Sequence, residues 1–166
     1  MNSIGVGICG LGTVGGGVLD LLTENSKRII AQVGVPVRII KIGSRTKKIN
    51  VNHSGISFSE DVFLLADDPN IDIILELIGG TDTALQLVKK ALINGKHVVT
   101  ANKALIATHG EELFDLAEKH SVSLRYEAAV AGGIPIIKVL RESLAANRIS
   151  CVVGIINGTT NYILSE

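Results

Sequence analysis

The sequence predicts an α/β fold, a doubly wound, mostly parallel sheet with helices on both faces. Three observations point to it. Short apolar runs alternate with longer stretches of helical period. The runs are almost continuously apolar, as strands buried on both faces must be. No repeat or low-complexity linker interrupts the alternation. With 166 residues and 17.5 kDa the chain has the length of one domain, about 100–200 residues.

Ile4 to Cys9 (IGVGIC) reads as a buried strand that runs into a glycine turn. A helix is predicted from Thr13 to about Asn25, with Val14, Val18, Leu21 and Leu22 at helical spacing. Val37 to Ile42 (VRIIKI) is a second strand. Asp61 to Ala66 forms a short helix, closed by the turn Asp67-Asp68-Pro69-Asn70. Ile71 to Ile78 (IDIILELI) is a third buried strand, ending at Gly79-Gly80. Thr81 or Asp82 caps a helix through Leu92, which Asn94-Gly95 stops. His97 to Thr100 is a fourth strand, Thr108 to His120 an amphipathic helix and Val122 to Tyr126 a fifth strand. Ile134 to Ala146 is read as helical with Pro135 in its first turn, and Ser150 to Ile156 (SCVVGII) as a last strand.

Composition narrows the function classes. Apolar residues make up 46% and charged residues 19%, and mean hydropathy is +0.40, which excludes a disordered chain. The 16 basic and 16 acidic residues cancel, so no global field recruits nucleic acid or an anionic membrane. Aromatic residues, at 3%, are too few for a base-stacking platform. Two cysteines, Cys9 and Cys151, cannot staple a fold of this size, and Cys9 sits in an apolar run where a buried free thiol is expected. No basic leader with a long apolar stretch is seen, and no apolar run approaches the ~18 residues of a spanning helix. A cytoplasmic protein is the expectation. His53, His97, His109 and His120 show no triad or metal pattern.

A parallel sheet binds ligands at the carboxyl ends of its strands, and the first such end carries a motif. Gly10-Leu11-Gly12-Thr13-Val14-Gly15 matches G-x-G-x-x-G between a strand and a helix. The first glycine permits the tight turn, the second lets backbone approach a pyrophosphate, and the third lets helix pack on strand. The helix N-terminus favours the anion. The fold is therefore expected to be Rossmann-type, with a dinucleotide at this turn. Gly16 and Gly17 extend the glycine run for no reason the motif supplies. At the end of the second strand stands Gly43-Ser44-Arg45-Thr46-Lys47-Lys48, with no acid to bind a ribose 2′-hydroxyl. Arg45 can fork onto a 2′-phosphate, with Lys47 or Lys48 adding charge and Ser44 a hydroxyl. A solvated basic loop is the bland alternative. NADP is favoured, with NAD left open.

Three further segments carry a resemblance: His97-Val98-Val99-Thr100-Ala101-Asn102-Lys103-Ala104-Leu105, Glu127 to Pro135 (EAAVAGGIP) and Gly154 to Leu164 (GIINGTTNYIL). With the glycine turn, in this order, they closely resemble homoserine dehydrogenase over essentially the whole chain. The resemblance implies NAD(P)-dependent interconversion of L-homoserine and L-aspartate 4-semialdehyde, serving threonine, methionine and isoleucine synthesis. It implies that Lys103 holds or protonates the reacting oxygen, where a surface lysine would be the plain reading. Thr100, Gly79 and Gly80 resemble positions flanking the nicotinamide half, and Asn157 and Gly158 positions near the cofactor. Thr159 resembles a substrate-contacting position, although a helix N-cap is also served there. Glu127, with the carbonyls of Val130, Gly132 and Ile134, resembles a monovalent cation site, usually sodium. Without the resemblance, Glu127 would be read as a helix-cap or salt-bridge residue.

The resemblance divides the chain at residue 150: 1–150 as NAD(P)-binding domain and 151–166 as the start of a substrate and dimerisation domain. The family's substrate loop, an aspartate and a second lysine then fall beyond Glu166. This piece is expected to bind dinucleotide and turn over little alone, the longer chain being a homo-oligomer. Two rivals are a nucleotide-sensing module, which needs neither the Asn102-Lys103 nor the Glu127 segment, and another oxidoreductase of the same fold.

Overall fold

The computed structural model describes residues 3–45 and 55–154. In chain order the elements are β1 (Ile4–Cys9), α1 (Thr13–Glu24), α2 (Ser26–Val33), β2 (Val37–Gly43), β3 (Ser57–Ser59) and α3 (Phe63–Asp67). There follow β4 (Ile73–Glu76), α4 (Asp82–Ile93), β5 (His97–Thr100), α5 (Lys103–Lys119), β6 (Leu124–Arg125) and α6 (Ile136–Lys138). A 3₁₀ turn spans Glu127–Ala129, and α6 runs on into a π turn over Val139–Ser143.

The six strands form one sheet in the order β3-β2-β1-β4-β5-β6, every pair parallel. The expected "mostly parallel" sheet is thus wholly parallel, and the order reverses between β1 and β4. That switch point opens a crevice at the carboxyl edge, where neighbouring connections leave in opposite directions. Alternate residues divide the core between two faces. Val6 and Ile8 of β1 pack with Leu19 of α1 and Ile42 of β2. On the other face Cys9, Ile74 and Val98 pack against Leu87 and Ala91 of α4 and Leu105 and Leu113 of α5. No described helix is long and apolar enough to cross a membrane.

Departures from the sequence reading have local causes. The first helix does stop near Asn25, but α2 follows it directly. Asn25 turns the chain: its backbone and side-chain N–H groups both donate to Leu21 O at 3.1 Å, and its own carbonyl accepts from Ile29 N at 2.9 Å. α2 buries no residue. β3 is a three-residue edge strand, too short for a pattern. The third predicted strand, Ile71 to Ile78, shortens to β4 because a carboxylate turns the chain at each end. Asp72 accepts from Gly5 N at 2.7 Å and Glu76 from Ile78 N at 3.0 Å.

α5 begins at Lys103, five residues ahead of the predicted Thr108, because the Asn102 side chain caps it by accepting from Leu105 N at 3.1 Å. β6 keeps only Leu124–Arg125 of the predicted Val122 to Tyr126. The helix predicted from Ile134 to Ala146 is confined to α6 and its π turn, with Pro135 at the N-cap rather than inside. Residues 150–154 of the predicted last strand form no strand, and Ile155 and Ile156 lie outside the described residues.

Candidate functional site

Each element of the crevice is placed by a strand end. β1 leads into Gly10, whose φ of +101° suits glycine and whose added Cβ would lie 2.5 Å from Leu77 O. Gly10 N donates to Gly43 O at 2.8 Å, which ties the turn to β2. Gly15 lets α1 close onto this turn: an added Cβ there would sit 1.9 Å from Gly10 O. Gly12 differs, because nothing lies within 4 Å of an added Cβ.

Gly12 is the N-cap of α1 without a side-chain hydrogen bond, and the first turn of α1 holds no acidic residue. The helix thus presents its first N–H groups and positive dipole end to open space, the setting an anion takes. Thr13 and Val14 lie in that first turn, both exposed. These features fit a dinucleotide pyrophosphate. Gly16 and Gly17 also face open space, so no packing demand explains them.

A cleft of about 460 Å³ runs from this turn across the ends of β2, β3 and β4, lined by Gly10, Leu11, Gly12, Ser44, Arg45, Glu60, Asp61 and Gly79 among others. That volume lies within the usual ligand-pocket range of about 300–1,000 Å³. Arg45 is placed on the cleft wall, with Ser44 beside it. Lys47 and Lys48 lie outside the described residues. The basic turn at the end of β2 has no acid of its own, yet Glu60 and Asp61 reach the same cleft from the end of β3. Ser44 N donates to Ser59 O at 3.0 Å, which brings the two strand ends together. Asp61 is engaged, its carboxylate accepting from Phe63 N at 2.8 Å at the start of α3. Sequence reasoning missed these acids because β3 itself was not legible.

A second groove, lined by Val14, Leu77, Ile78, Gly79, Ala101, Asn102, Lys103 and Ala104, continues past β4 to β5. Gly79 and Gly80 form the exposed turn after β4, and Lys103 stands exposed in the first turn of α5. Beneath the groove is a buried carboxylate that the sequence did not flag, Glu76. Glu76 and Thr100 are both 0% exposed, and the Thr100 hydroxyl donates to Glu76 Oε2 at 2.5 Å. Thr100 Oγ1 accepts from Asn102 N at 3.0 Å. Asn102 Nδ2 reaches over to donate to Gly80 O at 2.7 Å. Thr100 was expected to flank the cofactor; its side chain is buried beneath the groove, bonded to Glu76 and to Asn102 N. Burial raises the Glu76 carboxyl above its ordinary range, against the hydrogen bonds from Thr100, Ile78 and Asn102 that favour the charged form. Burial, and next the neighbouring Glu76 carboxylate, push the Cys9 thiol up to about 12, so it stays protonated and inert.

A family model described as "Homoserine dehydrogenase, NAD binding domain" matches residues 10–127, and one described as "Homoserine dehydrogenase" matches residues 135–166. The chain belongs to the homoserine dehydrogenase family. A homoserine dehydrogenase of Pseudomonas aeruginosa is 51% identical over 166 residues, covering 100% of this chain and 38% of its own length. A solved homoserine dehydrogenase from Thiobacillus denitrificans superposes with a TM-score of 0.91 at 50% identity, covering 99% of this chain and 38% of that one. A hyperthermophilic archaeal homoserine dehydrogenase, solved in complex with NADPH, superposes with a TM-score of 0.72 at 27% identity, covering 87% of this chain and 50% of that one. The chain therefore spans about 38% of the length of its bacterial relatives.

In this homoserine dehydrogenase family chain, the Glu127 side chain is engaged by backbone groups. Both Glu127 carboxylate oxygens accept backbone N–H groups, from Ile137 at 2.9 Å and Lys138 at 2.8 Å. The side chain thus serves the helix-cap role, holding the start of α6. Between them the loop turns through Ala131 and Gly132, with φ of +55° and +61°. Ile134 O accepts from Ile136 N at 2.8 Å. No group of three or more His, Cys, Asp or Glu side chains gathers among the described residues. Asn157, Gly158 and Thr159 lie outside the described residues.

Proposed function

We propose that these 166 residues are the cofactor-binding part of a homoserine dehydrogenase that interconverts L-homoserine and L-aspartate 4-semialdehyde with NADP in preference to NAD. The observation that supports this best is the uncapped α1 N-terminus over an open Gly12 at the sheet's switch point, in a chain of this family. Arg45 supports the NADP preference, because a guanidinium forks onto a 2′-phosphate. Lys47 is proposed to add charge there.

When bound, the nicotinamide supplies hydride exchange with the carbon that bears the reacting oxygen. The chain's own residues do the rest of the work assigned to this half. The glycine turn and α1 hold the pyrophosphate, and Gly79 and Gly80 let the nicotinamide end approach backbone. Lys103, at the mouth of the second groove, holds the substrate oxygen and stabilises negative charge on it as the alcohol gives up its proton. Asn157 and Gly158 are assigned to the cofactor, and Thr159 to a polar group of homoserine. The carbonyls of Val130, Gly132 and Ile134 are assigned to a monovalent cation, sodium by preference, with Glu127 fixing the loop that carries them. Residues 151–166 begin a substrate and dimerisation part, which places the final proton transfer outside these residues and makes the whole enzyme a homo-oligomer. It works in the cytoplasm, in the pathway to threonine, methionine and isoleucine, and uses neither nucleic acid nor membrane.

Titration of the 166-residue protein with NADPH and NADH, followed by nicotinamide fluorescence at one salt concentration, tests the cofactor part. Tighter NADPH binding is expected. Equal or tighter NADH binding overturns the NADP preference, and binding of neither overturns the site. Homoserine-dependent NADPH formation by a chain of the relatives' length tests the activity.

A further inference from the structure

The Glu76 carboxylate is a costly choice for the end of a core strand, where a leucine would pack without loss of solvation. It pairs in register with Cys9 of β1 on one side and Thr100 of β5 on the other, so it lies at the carboxyl edge directly below the crevice. It touches no solvent, and neither does Thr100. Its contacts form a closed ring. Oε1 accepts from Ile78 N at 3.0 Å, and Oε2 from the Thr100 hydroxyl at 2.5 Å. Thr100 Oγ1 accepts from Asn102 N at 3.0 Å, and Asn102 Nδ2 donates to Gly80 O at 2.7 Å. Asn102 also starts α5 through its bond from Leu105 N, and Lys103 is the next residue.

We propose that Glu76 is a positioning residue for the dehydrogenase reaction: its carboxylate clamps the turn after β4 to the turn before α5. It thereby sets the width of the groove in which the nicotinamide end meets Lys103. This rests on the nicotinamide-dinucleotide reading above. Ala101 N also donates to Glu76 O at 3.3 Å and Asn102 Nδ2 to Ile78 O at 3.4 Å, and the groove takes Ile78 and Gly79 from one turn and Ala101 and Lys103 from the other. A buried network with every member satisfied holds geometry where exposed turns alone would drift. Among the described residues, no buried side-chain nitrogen or oxygen lacks a partner.

The test uses two probes on the same chain. One is NADPH or NADH, whichever the wild type binds more tightly. The other is ADP-ribose where NADH is used, or 2′-phospho-ADP-ribose where NADPH is used, referred to below as ADP-ribose; each keeps the adenine, both riboses and the phosphates but lacks the nicotinamide. Glu76→Gln keeps the shape and gives up one acceptor; Thr100→Val removes the hydroxyl that links the two turns, and Thr100→Ser keeps it. Glu76→Gln and Thr100→Val are expected to weaken dinucleotide binding by about tenfold and to return the bound nicotinamide emission toward that of free cofactor. ADP-ribose affinity should stay within about threefold. Thr100→Ser should restore both signals, and it decides with Thr100→Val if Glu76→Gln does not fold. Unchanged nicotinamide emission and affinity in Glu76→Gln and Thr100→Val overturns the proposal, as does an equal loss for both probes, which marks general loosening. If the wild type binds the dinucleotide no better than ADP-ribose, and without a change in emission, the proposal fails while the dinucleotide site stands. If it binds neither, both fall.

Discussion

A methyl group added at Gly12 meets no protein atom within 4 Å, whereas one added at Gly15 lies 1.9 Å from a backbone oxygen. Two substitutions of identical size should therefore part company. Gly12 has φ −80° and ψ −159°, extended backbone that alanine adopts freely. Replacing an N-cap glycine by alanine costs about 0.5 kcal/mol. At about 2–4 °C per kcal/mol for a chain of this size, the melting temperature should move by no more than about 2 °C. The methyl group nevertheless occupies the space above the α1 N-terminus. Losing even one charge-assisted hydrogen bond there, worth about 1.5–3 kcal/mol, weakens NADPH binding by roughly 10- to 100-fold. Gly15→Ala needs α1 to move off the turn, since ordinary contact begins at 3.4 Å. Overpacking of that kind costs about 1–3 kcal/mol and should lower the melting temperature by roughly 2–12 °C. Differential scanning fluorimetry and NADPH fluorescence titration on both variants read the two quantities separately. A folded Gly12→Ala protein that binds NADPH within about threefold of wild type would refute the placement of the pyrophosphate. A Gly15→Ala protein as stable as wild type would refute the packing argument.

Arg45→Ala should reduce the NADPH-over-NADH preference by about tenfold or more, the size of one charge-assisted contact. Glu60→Gln, which removes a negative charge from the same cleft wall, should raise that preference; unchanged ratios of dissociation constants in both variants would contradict the assignment. Because burial raises the Glu76 carboxyl, the folded chain retains a proton there that the unfolded chain has released. Stability contributed by this group therefore falls as pH rises from the ordinary carboxylate range through the raised value. The wild-type-minus-Glu76→Gln difference in denaturant midpoint should decline over that window, and a difference that rises would reverse the sign of the argument. Glu127→Ala leaves the N–H groups of Ile137 and Lys138 without their acceptors. Hydrogen exchange at those two amides should quicken while the amides of β1 and β4 stay protected, with a stability loss of about 1 kcal/mol.

The sheet and its glycine turn were legible because each depends on a local pattern: apolar runs, helical spacing, and a motif whose context is one strand and one helix. Boundaries failed where a side chain distant from any pattern set them. Asn102 starts α5 ahead of its first buried stripe, and Asp72 and Glu76 trim β4 although its apolar run continues. The candidate site divided in the same way. The glycines, Arg45 and Lys103 sit on turns that the fold class alone brings to the carboxyl edge. Glu76, by contrast, lies inside an apolar strand and owes its surroundings to Thr100 and Asn102, 24 and 26 positions further along the chain. Glu60 and Asp61 come to the cleft only through a pairing of β2 with β3. Such neighbours are set by tertiary register, which a single sequence does not display.

The strand order also has a consequence for how the chain is made. β1 comes before the other five strands of its sheet in the chain and lies third across it, flanked by β2 and β4. Its second edge is closed only when β4 arrives, and the Asp72 carboxylate that binds Gly5 N is 67 residues further along. At roughly 5–20 residues per second of synthesis, that edge waits several seconds with its N–H and C=O groups unpaired. An apolar strand with an open edge is a template for unwanted pairing. Nascent chains stalled before residue 72 should accordingly be more prone to aggregate, or to be held by chaperones, than chains stalled beyond β4, and the transition between the two should fall as β4 clears the ribosome.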